Sequence, residues 1–204
     1  MRPSVSVPDI ELVWQGPFGW PGVCFDADIR DLGDSEFADY SGVYLWTVGY
    51  DLGFLIYAAG ITSRPFRARF REHTRAYRHG IYTIFDASSL TRGQREVVWP
   101  GFWFGHRSVS AERDYAEREP AIQAATERLL AVYRLFLAPI EASPRLLQRV
   151  EAAIMNSLYL AGGVVGQIPD RGMALAPRWD CEAPVLVRNS CEHLLYGLPE
   201  EFQA

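Results

Sequence analysis

The stretch 64–80, RPFRARFREHTRAYRHG, restricts what this chain can become more than any other segment. Its spacing predicts a helix: Thr62 or Ser63 is placed to cap it, Pro65 falls in the first turn, and Gly80 closes it. At ~100° per residue, Phe66, Phe70, His73 and Tyr77 share one stripe, which has to be buried. A titratable His is thereby set among aromatics, and Arg69, one turn earlier, flanks the same stripe. Arg67, Arg71, Arg75 and Arg78 point outward and, with Arg64, make a face suited to anions.

Charge sharpens this reading. Residues 64–79 carry six Arg and one Glu, a net +5; the chain totals −5, so the remainder carries −10. Much of that acid lies early, at Asp26, Asp28, Asp31, Asp34, Glu36 and Asp39. The expectation is one basic patch on an acidic body, to which a polyanion is steered. All twenty basic residues are Arg, which excludes lysine Schiff-base chemistry and the lysine-dependent phosphate loop.

At 204 residues the chain is expected to form a single domain over 1–204 with a real core. No apolar run approaches the ~18 residues of a membrane span, and no signal-peptide pattern opens the chain. Cys24, Cys181 and Cys191 are scattered and odd in number, which suits a reducing compartment. The expected location is cytoplasmic, with no membrane partner. Cys181, Cys191 and His193 lack any C-x-x-C pair, which speaks against zinc.

Along the chain, 10–14 reads as a strand and 15–22 as a Gly/Pro/aromatic loop. Residues 42–48 (GVYLWTV) and 54–60 (FLIYAAG) read as a hairpin feeding the Arg-rich helix. Residues 81–89 look strand-like, 91–96 form a polar loop, and 97–105 (VVWPGFWFG) form an aromatic cluster able to stack bases or to pack on the core. A helix is expected over 110–130, a central strand over 131–140, and a helix from Ser143-Pro144 to Gly162-Gly163. A short helix is expected near 189–196. On the helix after Pro144, Glu151 falls beside Leu147 and Ile154, on the buried stripe. An unpaired buried carboxylate costs several kcal/mol, so a cation or hydrogen-bond donors should attend it.

These features in this order resemble the GIY-YIG nuclease family. Gly42-Val43-Tyr44 matches the first signature triplet. Ala58-Ala59-Gly60 stands where the family has Tyr-Ile-Gly, with Tyr57 one place early. GITSRPFRARFREH (60–73) resembles the continuation, with Arg69 four residues before His73, and VEAAI (150–154) resembles the helix carrying the metal-binding glutamate. The resemblance covers 42–80 and 131–161 as a nuclease-like core, with 81–130 as an insertion and 1–41 and 162–204 as elaborations. It implies an α/β fold, a small mainly antiparallel sheet with a three-stranded core flanked by helices.

The resemblance also implies a metal-dependent endonuclease cutting phosphodiester bonds, in DNA or another nucleic acid, with Mg²⁺ or Mn²⁺. Glu151 would ligate the metal, Arg69 hold the scissile phosphate, Tyr44 orient or deprotonate water, and His73 take the proton from Tyr44. Tyr57 is a further catalytic candidate, although strand alternation sends it to the face opposite Tyr44 unless a bulge at Ala58-Ala59 brings it back. The family's downstream Asn has no counterpart: Asn156 faces away and Asn189 is remote. Specificity would come from 81–130 or from a homodimer. The alternative is a non-catalytic nucleic-acid-binding or protein-interaction domain on a decayed nuclease scaffold, which the missing second Tyr and Asn favour.

Overall fold

The computed structural model describes residues 9–23, 28–103 and 107–204; Cys24, Asp26, Phe104 and Gly105, named above, lie outside them. In chain order the elements are β1 (Asp9–Val13), β2 (Gln15–Gly19), two 3₁₀ turns (Leu32–Asp34 and Glu36–Asp39), β3 (Gly42–Tyr50), β4 (Gly53–Thr62) and α1 (Phe66–Arg78). Then follow β5 (Ile84–Phe85), α2 (Ala87–Thr91), β6 (Val97–Trp99), α3 (Val109–Val132) and β7 (Tyr133–Pro139). The chain continues through α4 (Pro144–Leu160), α5 (Gly163–Gln167), β8 (Leu186–Ser190), β9 (Leu195–Tyr196) and β10 (Glu201–Gln203).

The class is mixed α/β. The expected three strands, β7-β3-β4, are the middle of a five-stranded sheet ordered β2-β7-β3-β4-β9, antiparallel except where β9 joins β4. A second sheet, β1-β8-β10, and a small pair, β5-β6, complete it. Alternation along the strands splits the sheet's side chains into two cores. Tyr44, Trp46, Val48, Leu55, Tyr133 and Leu135 face Phe66, Phe70 and Tyr77 of α1 and Ile122, Leu129 and Leu130 of α3. Val43, Leu45, Ile56 and Phe136 face Leu147, Val150, Ile154 and Leu158 of α4, together with Leu12 and Val187 of the second sheet. Helices therefore cover both faces, and α1 and α4 lie on opposite sides.

Several local expectations change. Segment 15–22 is no loop: it supplies β2, an edge strand, where Pro17 leaves no interior ladder bond unmade. Within 81–89 the strand stops at Phe85, because the Asp86 carboxylate accepts from Ser89 N–H at 2.8 Å and caps α2. Residues 189–196 hold no helix: they are the end of β8, a bend over 191–194 and β9, since β8 pairs in parallel with β1 and Asn189 accepts the Trp14 indole N–H at 3.0 Å. Helix α1 is capped by neither Thr62 nor Ser63. The Thr62 hydroxyl bonds Arg64 N–H at 3.0 Å in a local turn, and Pro65 occupies the cap position. Gly80, at φ +64°, does end the helix as expected, and Ser143 with Pro144 opens α4 as expected.

Trp20, wholly buried, is the keystone between α1 and the sheet. Its ring lies 5.2 Å from Phe70, 5.4 Å from Trp46 and 5.7 Å from Tyr77, and its indole N–H donates to Thr74 at 2.8 Å. Trp20→Ala is expected to lower unfolding free energy by ~3–5 kcal/mol, read as a shifted urea midpoint at unchanged m-value.

Candidate active site

The site grows from the contact of α1 with β3. Tyr44, 2 % exposed, lies on the sheet face that α1 covers, and its hydroxyl is 2.9 Å from His73 Nε2. Arg69 Nε donates to the same hydroxyl at 3.2 Å. On the far side of the imidazole, Nδ1 is 3.1 Å from the Tyr82 hydroxyl. Two proton arrangements satisfy all three contacts: with Arg69 donating to the Tyr44 oxygen, either Tyr44 donates to Nε2 and Nδ1–H donates to Tyr82, or Tyr82 donates to Nδ1 and Nε2–H donates to Tyr44. Burial, reinforced by the Arg69 charge, pushes His73 down to about 3, so it is a neutral acceptor at ordinary pH. Burial pushes Tyr44 up to about 12, although Arg69 pulls the other way.

Arg69 is half-committed. Of its five N–H donors, one meets Tyr44 and one reaches Glu72 at a long 3.4 Å. Glu72 itself is held by Arg64 through two bonds, 2.7 and 2.9 Å, so much of its charge is taken elsewhere. That leaves a partly exposed guanidinium with donors to spare beside a buried phenol, an arrangement suited to an anion.

How does Glu151, on the other side of the sheet, reach this group? Strand β9 pairs with β4 only at Phe54 and Leu55, so Ala58, Ala59 and Gly60 lie at the open edge of the sheet. Helix α4 crosses that edge, where Ala59 N–H meets the Met155 sulfur at 3.1 Å. The edge residues are small, and Gly60 has to be: a Cβ there would sit 2.3 Å from the Tyr44 ring and 2.4 Å from its hydroxyl. Through this opening Glu151 lines one cavity of about 250 Å³ with Tyr44, Arg69 and His73. Burial raises its carboxyl to about 7, with Arg69 opposing. Among the described residues it takes part in no hydrogen bond or ion pair.

Tyr57 enters the same cavity, which overturns the simple alternation expected for it. The β3–β4 register passes from Trp46↔Ala58 to Thr47↔Ile56, so Tyr57 is the extra residue of a bulge. Tyr57 and Ala58 therefore face the same core, and Tyr57 stacks on Trp46 at 6.3 Å and 10° between planes. The bulge sits one position before the Ala58-Ala59 pair.

Sequence reasoning missed Tyr82, Thr83, Asp170, Gly172 and Met173 among the lining residues, while Trp103, also on the wall, belongs to the aromatic cluster it singled out at 97–105. Asp170 follows the α5 turn, and its N–H donates to the Tyr57 carbonyl at 2.8 Å. Nothing in local spacing marks it; only the return of the chain past β4 places it there. Asn156 is exposed, and Asn189 is engaged with Trp14 and the Pro199 carbonyl, so neither joins the site.

The basic face is less free than its sequence suggests. Arg64 pairs with Glu72, Arg67 with Asp39 at 2.7 Å, and Arg78 with Glu127 at 3.0 Å. Asp39 belongs to the acidic early segment, which folds onto the start of α1, so acid and base are not segregated as the charge count implied. Arg71 and Arg75 are exposed with no ion pair among the described residues.

Among the described residues no group of three or more His, Cys, Asp or Glu is placed to hold a metal ion, and no helix is long and apolar enough to cross a membrane. Glu151 and Asp170 are the two carboxylates on the cavity wall. No family model, curated protein or solved structure matches the chain.

Two stability effects follow. His73 is depressed in the fold, so the unfolded chain binds the extra proton below pH ~6.5 and stability falls as pH drops through that value. Glu151 is raised, so the folded state keeps its proton longer and stability is lost as pH climbs from ~4.5 toward 7. Glu151→Gln should therefore stabilise the protein above pH 7, by up to about 3 kcal/mol, and lose that advantage near pH 4. Denaturant unfolding across this range measures it. The His73 ring signals should not titrate between pH 8 and 5 by NMR.

Proposed function

We propose that this cavity binds a phosphodiester of a nucleic acid and, with a divalent cation on Glu151, hydrolyses it. The observation that carries the reading is the convergence of Tyr44, Arg69, His73 and Glu151, drawn from a strand and two helices on opposite sheet faces, onto one cavity. These are the residues the GIY-YIG resemblance singles out, and the order of segments along the chain agrees with it.

The residues suit an oxygen-seeking cation. Glu151 is a half-buried carboxylate whose charge no described group pairs with, and burial disfavours that charge unless a cation offsets it. Mg²⁺ or Mn²⁺ held there, with Asp170 on the same wall, would offset negative charge on the phosphate and the leaving oxygen. The spare N–H groups of Arg69 hold the phosphate's free oxygens and follow the charge that grows on them. The Tyr44 hydroxyl positions a water for in-line attack. As water gives a proton to the Tyr44 oxygen, Tyr44 passes its own to His73 Nε2; burial and the Arg69 charge oppose that transfer, and the negative charge of a bound phosphate would offset them. In the tautomer that donates Nδ1–H to the Tyr82 hydroxyl, Nε2 is the ring nitrogen that accepts. The P–O bond breaks to give a monoester and an alkoxide, which takes a proton from solvent water to become the alcohol, and the proton taken up by His73 returns to solvent.

A second reading, a non-catalytic nucleic-acid-binding or protein-interaction domain on a decayed nuclease scaffold, has a specific observation in its favour. Among the described residues no set of three or more potential ligands is gathered for a metal. On that reading the same Arg69 donors grip a phosphate without turnover.

Cleavage decides between them. Purified protein with Mg²⁺ or Mn²⁺ should nick plasmid DNA, Arg69→Ala should slow it at least ~10²-fold, and Glu151→Ala should abolish it. Cleavage that survives Glu151→Ala removes the metal role; binding without cleavage in any metal establishes the second reading. In either case binding should weaken with salt, and Arg71→Ala and Arg75→Ala should each flatten the salt slope by about one unit. Arg67→Ala, whose guanidinium is engaged by Asp39, should change it less.

A further inference from the structure

Helix α1 ends in a turn that brings the chain back beside His73. Gly80 N–H donates to the Tyr77 carbonyl at 3.0 Å and Ile81 N–H to the Ala76 carbonyl at 2.9 Å, the paired bonds of a glycine-closed helix end. The next residue is Tyr82, whose hydroxyl is 3.1 Å from His73 Nδ1. We infer that Tyr82 is a positioning residue for the proposed hydrolysis: its O–H donates to an oxygen of the bound phosphodiester, so its own oxygen accepts Nδ1–H and His73 is held with Nε2 bare toward Tyr44. The inference rests on the phosphate-binding part of the reading above.

The tautomer of His73 is decided by two phenols. The ring is 4 % exposed and packed by Trp46 at 4.7 Å and Phe70 at 5.8 Å, and among the described residues its nitrogens meet only the Tyr44 and Tyr82 hydroxyls. The two proton arrangements differ in what they leave open. When Tyr82 donates to Nδ1, Nε2–H and Arg69 Nε–H both donate to the Tyr44 oxygen and fill its two lone pairs. Tyr44 then has a hydrogen to give and no lone pair with which to receive a water's proton. When Nδ1–H donates to Tyr82, the Tyr44 oxygen keeps one lone pair free and Nε2 stands behind it as acceptor. Only this arrangement permits transfer from water through Tyr44 to His73, and it is the one that leaves the Tyr82 hydrogen unspent.

A phosphate held by Arg69 is the acceptor for that hydrogen. Tyr82 lines the cavity with Tyr44, Arg69 and Glu151, is half-buried, and makes no second hydrogen bond among the described residues. Burial raises both phenols and the Arg69 charge opposes it in each, so one guanidinium lies near both hydroxyls. An anion seated on the spare Arg69 donors is therefore near the Tyr82 O–H as well. A hydrogen bond to a charged oxygen is stronger than one to a neutral ring nitrogen, so the phosphate outcompetes Nδ1 for the Tyr82 hydrogen. The resulting chain runs head to tail from Arg69 through Tyr44, His73 and Tyr82 to the phosphate, each bond polarising the next. The opposite arrangement has two N–H groups, one of them on a cation, converge on the Tyr44 oxygen.

The test is the nitrogen NMR spectrum of His73 in Mg²⁺-free buffer near neutral pH, with a dinucleoside monophosphate as the probe. With the diester bound, wild-type His73 should carry its hydrogen on Nδ1 and leave Nε2 bare. Tyr82→Phe, which keeps the ring and removes the hydroxyl, should move that hydrogen to Nε2 and weaken diester binding about 10-fold or more, the loss of one hydrogen bond to a charged group. A merely structural role for Tyr82 would leave the tautomer as it is. Wild type that binds the diester with Nε2 protonated, or Tyr82→Phe protein that keeps Nδ1–H, overturns the inference and leaves the phosphate reading standing. Unchanged diester affinity in Tyr82→Phe overturns it too. Wild type that binds no diester sinks the phosphate reading and the inference together. If Tyr82→Phe does not fold, the wild-type spectrum decides by itself.

Discussion

The site depends on one steric fact: the ring of Tyr44 occupies the space in which a side chain at position 60 would stand. Because Gly60 presents none, the phenol can lie along the edge of β4, within reach of His73 and Arg69 on one side of the sheet and open to Glu151 on the other. A sheet ordinarily separates the groups on its two faces. Here the small residues Ala58, Ala59 and Gly60, at an edge that β9 does not cover, make a passage that lets a helix on each face contribute to one cavity. Any side chain at position 60 would displace the Tyr44 ring from that passage.

Electrostatics then follow from burial. Taking Tyr44, His73 and Glu151 out of water drives each toward its neutral form: phenol, imidazole and half-protonated carboxyl. Arg69 alone keeps its charge, and its partner Glu72 is shared with Arg64. Within this quartet Arg69 is thus the one full cation, beside two neutral groups and the Glu151 carboxyl, an arrangement that receives negative charge more readily than it generates it. The aromatic shell of Trp20, Trp46, Tyr77 and Tyr133 keeps water from this group and gives α1 a fixed seat.

Much of this was legible in the sequence where local rules dominate. The stripe Phe66, Phe70, His73 and Tyr77 is the buried face of α1, and Ser143-Pro144 opens α4, because helical spacing and caps are written within a few residues. The placing of Glu151 on the inward side of α4 followed from the same periodicity. What failed needed distant partners. The strand at Gln15–Gly19 exists because β7 is there to pair with it, and the strand at Leu186–Ser190 because β1 is. The bulge that turns Tyr57 toward Tyr44 is a property of two strands in register, invisible in either alone. Asp170 and Met173 enter the cavity only through the path of the returning chain. The Arg face was over-read for a similar reason: Asp39 and Glu127, remote in sequence, fold back to pair with it.

The central claim is that cation and phosphate meet in one cavity, on Glu151 and Arg69. Water-proton relaxation in a Mn²⁺ titration, with and without a dinucleoside monophosphate, tests it most directly. The account predicts that Mn²⁺ binding tightens when the diester is present, that Glu151→Gln removes the binding, and that Arg69→Gln leaves Mn²⁺ bound but removes its coupling to the diester. Mn²⁺ that binds Glu151→Gln as it binds the wild type, indifferent to the diester, contradicts it.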